Sequence, residues 1–259
     1  MGERNEYAAG TFSWADLSTT DQEEAKSFYR ELFGWTAVDN PVGDDVVYSI
    51  MQLDGKDVAA IGPQPEQQRD AGVPPTWNSY VTVESADAML TKTEQLGGSA
   101  HTPAFDVLDV GRMAVLQDPQ GAFFMVWQPK RRIGATVVNA PGALSWNELA
   151  TPDIDGSTAF YGELFGWEIQ PFEGSDQPYF TIQNNGHGNG GIRPLMPGEP
   201  QAYWLVYFGT EDVEQGVARV EQLGGSKLAD PVDIGVGKLG FAADPQGAVF
   251  ALYAGRFEP

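Results

Sequence analysis

The sequence predicts an α+β protein made of four βαβββ modules, which form two similar domains with cupped sheets of mixed or antiparallel strands. Two observations lead to this fold class. The segment 10–35 returns 132 positions later as 142–167, and the letters ELFGW match without a gap at 31–35 and 163–167. Each half then contains a second unit whose helix ends in the same six residues, at 94–99 and 221–226. A self-match of this length indicates duplication.

The first module opens with a predicted strand and an amphipathic helix. Residues 11–17 read as a strand, and apolar side chains recur with helical spacing along 25–33. Thr19 and Gln22 have the spacing of a capping box at the start of this helix. In the second copy, Pro152 has the residue type best suited to a first helical position. We therefore expect equivalent helices in the first and third modules.

Glycines mark the ends of these two helices, and a hairpin follows each of them. Gly34 and Gly166 occupy positions that favour a left-handed C-cap. The strands predicted over 46–53 and 58–61 turn at Asp54-Gly55. Their counterparts cover 179–183 and 190–193, joined by a loop over 184–189, and Pro-rich breaks follow at 62–75 and 194–200.

The second unit of each half repeats the strand–helix–strand order. Strands are predicted over 77–83 and 204–208, and helices end at Gly97-Gly98 and Gly224-Gly225. The sequence DPQGA then recurs at 118–122 and 244–248, with Asp, Pro and Gly placed as in a type I turn. The predicted organisation is a first domain over 1–130 (modules 11–63 and 76–128), a linker over 131–141 and a second domain over 142–259 (modules 143–195 and 202–254).

Composition limits the classes of partner. The chain has 259 residues, 42% of them apolar, which suffices for two globular domains. A net charge of −21 disfavours nucleic acids and anionic membranes as partners. Without cysteine there are no disulfides, thiolate nucleophiles or Cys-based metal sites. No apolar run is long enough to span a bilayer, so we expect a cytoplasmic protein.

The repeated motifs resemble those of the vicinal oxygen chelate superfamily, which includes glyoxalase I, extradiol dioxygenases and the bleomycin-resistance proteins. The segments 28–35 and 160–167 are similar to the "FY…vLGw" segment of that family, and the DPQGA turns are similar to its "DPdG" turn. The resemblance extends from about residue 10 to residue 253. It implies two glyoxalase/bleomycin-resistance-like domains, but the superfamily hosts unrelated chemistries, so the fold does not name a function.

Metal-using members of this family place one His or Glu ligand on each of four strands, facing the cleft. Counted from the motifs, these positions carry side chains that are not usual ligands of divalent cations. They are Trp14, Asn78, Met125 and Ala59 or Ala60 in the first half, and Trp146, Leu205, Ala251 and Gly190 or Gly191 in the second. The sequence therefore predicts that both halves lack the family's metal site and that no cofactor is bound.

Two acidic residues are candidates for acid–base chemistry. Strand parity places Asp16 on the face of Trp14, and Glu148 on the face of Trp146. A carboxylate beside an indole in a half-dry pocket can have a raised pKa and act as a general acid or base. The alternative is that the indoles fill the space of a metal while the carboxylates pair with Arg112 or Lys238.

The chain is also rich in aromatic residues, with seven Trp, nine Tyr and 14 Phe. Such side chains with a few polar groups fit a flat, apolar ligand, although each could equally be sheet core. The candidate ligand-binding residues are Trp14, Asp16, Tyr48, Asn78, Tyr80, Arg112, Met125, Trp127, Trp146, Glu148, Tyr179, Tyr207 and Tyr253.

Three functions remain open. The favoured one is binding of a small apolar or aromatic molecule in metal-free clefts. The alternatives are a metal-free enzyme that uses Asp16 or Glu148 on a carbonyl-bearing or polyketide-like substrate, and an interaction protein whose clefts are filled by its own aromatic side chains. A metal-dependent lyase or dioxygenase is less favoured. Because one chain supplies both halves, we expect a monomer with internal pseudo-twofold symmetry, or a weak homodimer.

Overall fold

A computed structural model of the chain describes residues 2–42, 46–174 and 177–257. The elements of the first half are β1 (Gly2–Glu3), β2 (Phe12–Thr19), α1 (Gln22–Phe33), β3 (Thr36–Pro41), β4 (Val47–Leu53), β5 (Lys56–Pro63), α2 (Glu66–Asp70), β6 (Thr76–Thr82), α3 (Ala86–Gln95), β7 (Ser99–Ala100), β8 (Phe105–Val107), β9 (Gly111–Gln117) and β10 (Phe123–Pro129). Those that follow are β11 (Val137–Val138), β12 (Leu144–Thr151), α4 (Ile154–Phe165), β13 (Glu168–Pro171), β14 (Phe180–Asn184), β15 (His187–Pro194), β16 (Tyr203–Gly209), α5 (Val213–Gln222), β17 (Ser226–Lys227), β18 (Val232–Asp233), β19 (Gly237–Ala243) and β20 (Val249–Gly255).

These strands form two nine-stranded sheets of the same order. The first runs β3-β4-β5-β2-β6-β10-β9-β7 with β8 on β9, and the second runs β13-β14-β15-β12-β16-β20-β19-β17 with β18 on β19. Most neighbours are antiparallel, but β2 pairs with β5 and β6 with β10 in parallel, as do their counterparts. The predicted α+β class with mixed sheets is confirmed. The two modules of one half share one sheet, and β1 pairs separately with β11.

The helix ends follow the sequence in part. Gly34 and Gly166 both have φ of 75°, so the predicted left-handed C-caps are confirmed. The predicted helix starts are wrong. Asp21 and Asp153 are the N-caps, each accepting a backbone N–H three residues on, so the capping box at Thr19 and the helical position of Pro152 are not used.

The first hairpin turns at Asp54-Gly55 as predicted, with positive φ at both residues. The second hairpin differs from the prediction. Its turn is only Asn185-Gly186, and His187 already belongs to β15, because this pair also supplies the two left-handed residues that a tight turn needs. The exposed edge strand β3 and the short elements α2, β1, β7, β8, β11, β17 and β18 were not predicted individually, since they carry little apolar periodicity.

The two halves share their hydrophobic cores. One core joins α1, β4 and β5 of the first half to α5, β16 and β20 of the second, and the other joins α3, β9 and β10 to α4, β14 and β15. Helices α1 and α4 therefore lie between the backs of the two sheets. We call the opposite face of each sheet, which carries Asp16 or Glu148, its concave face, after the cupped sheets that the family resemblance implies. Within the described part of the chain, no helix is long and apolar enough to cross a membrane.

The repeated motifs contact each other across the halves. The Trp77 indole donates to the Tyr29 hydroxyl (2.9 Å), and Tyr29 donates to Asp244 Oδ2 of the second DPQGA turn (3.1 Å). The second copy mirrors this series, in which Trp204 donates to Tyr161 (2.9 Å) and Tyr161 to Asp118 (2.9 Å). Both tyrosines are fully buried. Each FY motif is thus held by the DPQGA turn of the other half.

We expect Tyr29→Phe and Tyr161→Phe each to lower the free energy of unfolding by about 1–3 kcal/mol, because each leaves a buried carboxylate oxygen and an indole N–H without that partner. Urea unfolding followed by circular dichroism measures this. Tyr253→Phe is the control, since its hydroxyl is partly exposed, and we expect a change below about 0.5 kcal/mol. Equal effects of all three changes would contradict the structural role of the crossed contacts.

Candidate functional site

The concave face of the first sheet is organised around Asp16 at its centre. Asp16 lies on β2, between Ala60 of β5 and Asn78 of β6. Its side chain is buried, with 8% of the residue exposed. This carboxylate is therefore largely shielded from solvent.

Three neutral donors hold this carboxylate. Tyr48 and Tyr80 both donate to Oδ2, at 2.8 and 2.7 Å, and Asn78 donates to Oδ1 at 2.8 Å. The Trp14 indole in turn donates to the Tyr48 hydroxyl at 3.1 Å. A carboxylate has about four acceptor positions, so one position, on Oδ1, has no side-chain donor among the described residues. No cation forms an ion pair with Asp16 among the described residues.

Burial raises the pKa of Asp16, and the hydrogen bonds from Tyr80, Asn78 and Tyr48 oppose this rise without cancelling it. The pKa values of both tyrosines are raised well above the ordinary value, by burial and by the Asp16 charge. The tyrosines therefore stay protonated and act as hydrogen-bond donors at neutral pH. The arrangement is a carboxylate among neutral donors, with a proton affinity above that of a free aspartate.

An apolar wall surrounds this group. Trp14, Tyr80, Met125 and Trp127 belong to one buried cluster, each with 6–8% of its surface exposed. The indole of Trp127 donates to the Arg132 carbonyl at 2.9 Å, so the segment after β10 packs against one side of the wall. A cavity of about 350 Å³ borders this segment, lined by Asp57, Val110, Arg131, Arg132, Ile133, Gly134 and Thr136.

The concave face of the second sheet has a different electrostatic character. Glu148 occupies the place of Asp16, but Arg193 Nε donates to Glu148 Oε1 at 2.6 Å. Arg193 also binds Glu199 through both terminal nitrogens, at 2.7 Å each. As in the first cleft, an indole donates to a tyrosine hydroxyl, from Trp146 to Tyr179 at 3.0 Å. Here the central carboxylate is neutralised by a buried cation.

The structure brings together most of the predicted residues, in two separate groups. The first cleft holds Trp14, Asp16, Tyr48, Asn78, Tyr80, Met125 and Trp127, and the second holds Trp146, Glu148, Tyr179, Tyr207 and Tyr253. Their role in binding stays a prediction. Arg112 does not join either group, because it lies opposite Gln128, on the helix side of the sheet, and pairs with Asp87 and Asp106.

The expected partners of the two carboxylates were wrong. Lys238 pairs with Glu214 at the surface, and Arg112 pairs as described, so neither residue reaches Asp16 or Glu148. Arg193 and Glu199 were not predicted as site residues. A signal was present, because Arg193 is a basic residue within a predicted strand, two residues beyond the neighbour of Glu148 in the sheet.

The side chains at the family's ligand positions do not fit a metal site of that kind. Trp14 and Met125 are parts of the apolar wall, and Asn78 is engaged by Asp16. In the second half, Leu205 lies beside Glu148, and Ala251 packs in the same cluster. Over residues 2–42, 46–174 and 177–257, no group of three or more His, Asp or Glu side chains has a metal-binding arrangement. Such a centre needs imidazole or carboxylate donors at these places.

Comparison with known families gives a consistent result. The model of the Glyoxalase/Bleomycin resistance protein/Dioxygenase superfamily matches residues 11–126, and that of a Glyoxalase-like domain matches residues 146–253. The chain is 44% identical over 256 residues to a Mycobacterium tuberculosis protein named "Putative glyoxylase CFP32", covering 97% of both chains. It is 35% identical over 266 residues to the anthracycline biosynthesis protein DauV of Streptomyces sp. strain C5, covering 95% of this chain and 94% of DauV.

Solved structures show the same fold at low identity. The Mn(II)-bound glyoxalase from Novosphingobium aromaticivorans superposes with a TM-score of 0.67 at 18% identity, covering 95% of this chain and 82% of that one. The 2,3-dioxygenase LapB from Pseudomonas sp. KL28 superposes with a TM-score of 0.65 at 16% identity, covering 98% and 95%.

We expect the Asp16 carboxyl to titrate above about 3.9, the ordinary value for aspartate. Carbon-13 NMR of aspartate-labelled protein measures this, and the resonance is assigned by its loss in Asp16→Asn. Burial also raises the pKa values of Asp118 and Asp244, so this assignment is needed. An Asp16 titration at or below the ordinary value would contradict the dry setting of the site.

The raised pKa of Asp16 also predicts how the stability of the protein changes with pH. The folded protein holds the Asp16 proton more tightly than the unfolded chain does. From this group alone, the free energy of unfolding therefore falls as the pH rises from the ordinary value through the raised one. We expect Asp16→Asn to remove that part of the pH dependence, as measured by urea unfolding across this range.

Proposed function

We propose that this chain, which belongs to the glyoxalase/bleomycin resistance protein/dioxygenase superfamily, has a binding function. It binds a small, flat, largely apolar molecule in the first cleft. The ligand donates a hydroxyl group to Asp16 and stacks against the surrounding aromatic side chains. Because the side chains at the family's ligand positions do not fit a metal, no step of this proposal uses one.

The observation that carries the proposal is a buried carboxylate with an open acceptor position. Asp16 accepts from Tyr48, Tyr80 and Asn78, and all three donors are neutral. A buried carboxylate without a cation is costly, so a site that keeps one favours a ligand that donates to it. The Trp14 and Trp127 rings supply the apolar surface that pockets for flat molecules have.

The relatives support a polycyclic aromatic ligand. Two of them, DauV and DnrV, are named anthracycline biosynthesis proteins, and this chain is 35% and 34% identical to them over nearly its whole length. Anthracyclines are flat, hydroxylated quinones, and a phenolic hydroxyl group that does not lie beside a quinone carbonyl is a free hydrogen-bond donor. A hydroxyanthraquinone therefore combines the shape and the donor that the first cleft requires.

We expect 2,6-dihydroxyanthraquinone, whose hydroxyl groups cannot donate to its own carbonyls, to bind the protein, and Asp16→Asn to weaken binding at least about tenfold, equivalent to about 1.4 kcal/mol, because the amide is a poorer acceptor than the carboxylate. Titration calorimetry measures both. Glu94→Gln is the control, as it changes the charge of an exposed residue on α3. The proposal fails if Asp16→Asn binds as tightly as the unchanged protein, or if neither binds.

A second function, proton transfer by Asp16, is favoured by the raised pKa of this residue. A carboxylate of raised proton affinity can remove a proton from carbon next to a carbonyl group, and positioned acids and bases contribute about 10²–10⁴-fold. Tyr48 and Tyr80 would steady the carboxylate before and after the transfer. Glu148 is the weaker candidate, because Arg193 already occupies one of its oxygens.

Hydrogen exchange tests this second function. We expect the protein to catalyse exchange of the α-protons of 1-tetralone in D₂O, and Asp16→Asn to slow it about 100-fold or more. Proton NMR of the ketone measures the rate, with Glu94→Gln again as the control. An exchange rate that Asp16→Asn leaves unchanged would refute the acid–base role while leaving the binding proposal standing.

A further inference from the structure

We propose that the second cleft is a binding site for small aromatic carboxylates, and that the side chain of Glu199 occupies it from within. Glu199 then acts as a tethered stand-in for the ligand's carboxylate. This assignment goes beyond the proposed function, which concerns a hydroxyl-donating ligand in the first cleft.

The surroundings of the Glu199 carboxylate have the form of a carboxylate receptor. Arg193 contacts it with two parallel bonds, Nη1 to Oε2 and Nη2 to Oε1, both 2.7 Å. The Tyr203 hydroxyl donates to Oε1 at 2.6 Å, and the backbone N–H of Met196 donates to Oε2 at 2.6 Å. Two-pronged contact by a guanidinium is the geometry by which proteins recognise free carboxylates.

Among the described residues, this receptor occurs in the second half and not in the first. Arg193 lies opposite Ala150 in the second sheet, two residues beyond Gly191, the neighbour of Glu148. The matching position in the first sheet is Gly62, opposite Ser18 and two residues beyond Ala60. The arginine is therefore not required by the fold, because the other copy of the module forms the same sheet without it.

A second observation points to a ligand. The Tyr207 hydroxyl is buried, with 2% of the residue exposed, and makes no hydrogen bond of good geometry to any described residue. Its counterpart Tyr80 donates to Asp16 at 2.7 Å. Glu148 is near enough to Tyr207 to raise its pKa, after burial itself, through its charge and a weak hydrogen-bond contact. Glu148 therefore holds the Tyr207 hydroxyl less firmly than Asp16 holds that of Tyr80, and this donor can turn to a ligand.

Several aromatic side chains lie around Tyr207. Trp146, Tyr203 and Tyr253 are partly exposed and pack around Tyr207 in one cluster with Phe241. A ring held by these side chains would carry a carboxylate toward Arg193. Aromatic surfaces with a single cationic group are suited to this class of ligand.

Glu199 can leave the receptor. It lies in the segment 195–202, between β15 and β16, which contains no helix or strand, and about a fifth of its side chain is exposed (19%). When a free carboxylate displaces the Glu199 side chain, the charge beside Arg193 stays the same. The Glu148 carboxylate therefore repels the ligand no more than it repels Glu199. Because Glu199 is tethered beside Arg193, it competes with any free carboxylate for the guanidinium.

Removal of the tethered carboxylate tests the proposal. We expect Glu199→Ala to bind benzoate at least about tenfold more tightly than the unchanged protein, measured by titration calorimetry. The neutral analogue benzamide should gain nothing, because it lacks the charge that Arg193 recognises. Glu211→Ala is the matched control, as it removes an exposed carboxylate from the same half.

Two further variants separate ligand binding from a structural effect. Adding Arg193→Met to Glu199→Ala should abolish the gain, and adding Tyr207→Phe should reduce it, with circular dichroism confirming that each variant is folded. The proposal is overturned if Glu199→Ala binds benzoate no better than the unchanged protein, or if the gain survives loss of Arg193. Binding of the hydroxyanthraquinone in the first cleft should be unchanged in Glu199→Ala, so the two proposals fail separately.

Discussion

The fold depends on the crossed contacts between the halves. Tyr29 and Tyr161 lie at the centre of two buried aromatic groups, and each donates to the aspartate of the opposite DPQGA turn. The indoles of Trp35 and Trp167 reinforce this crossing by donating to Gly142 and Gly10, both at 2.7 Å. Because these polar groups are buried, each needs the partner that the other half supplies. The crossing holds the backs of the sheets together, on the side opposite to Asp16 and Glu148.

The duplication made the fold class predictable from the sequence. It did not predict that the FY motif of each half contacts the DPQGA turn of the other half. Strand parity placed Asp16 and Glu148 on the concave faces, because alternation along a strand is a local property. Repetition of the FY and DPQGA motifs showed that they matter to the fold, without showing which copy contacts which. Both helix starts were misplaced by two residues, since Thr19, Asp21 and Asp153 are all residue types suited to an N-cap.

Partners of charged groups were the least predictable feature. Arg112 was expected near a cleft carboxylate, yet it lies on the helix side of β9, where Asp87 and Asp106 meet it. The cation that does reach a cleft, Arg193, comes from a strand whose register with β12 could not be read from the sequence. Strand alternation gives the face of a side chain, and only the register gives its neighbour.

The two clefts have diverged in charge while keeping the same frame. In each, an indole donates to a tyrosine hydroxyl beside a central carboxylate. The first keeps that carboxylate among neutral donors, and the second pairs it with a guanidinium. A single substitution site, Gly62 against Arg193, accounts for the main electrostatic difference.

The contact between Tyr29 and Asp244 joins residues 215 positions apart. During synthesis, helix α1 leaves the ribosome long before the strand that completes its surroundings. Until then the apolar back of the first sheet has only solvent beside it, and contacts of such long range form slowly. Phe28 and Trp77 of the amino-terminal half therefore stay exposed to solvent until the second half has been synthesised. In this interval the exposed apolar surface is a potential binding site for chaperones.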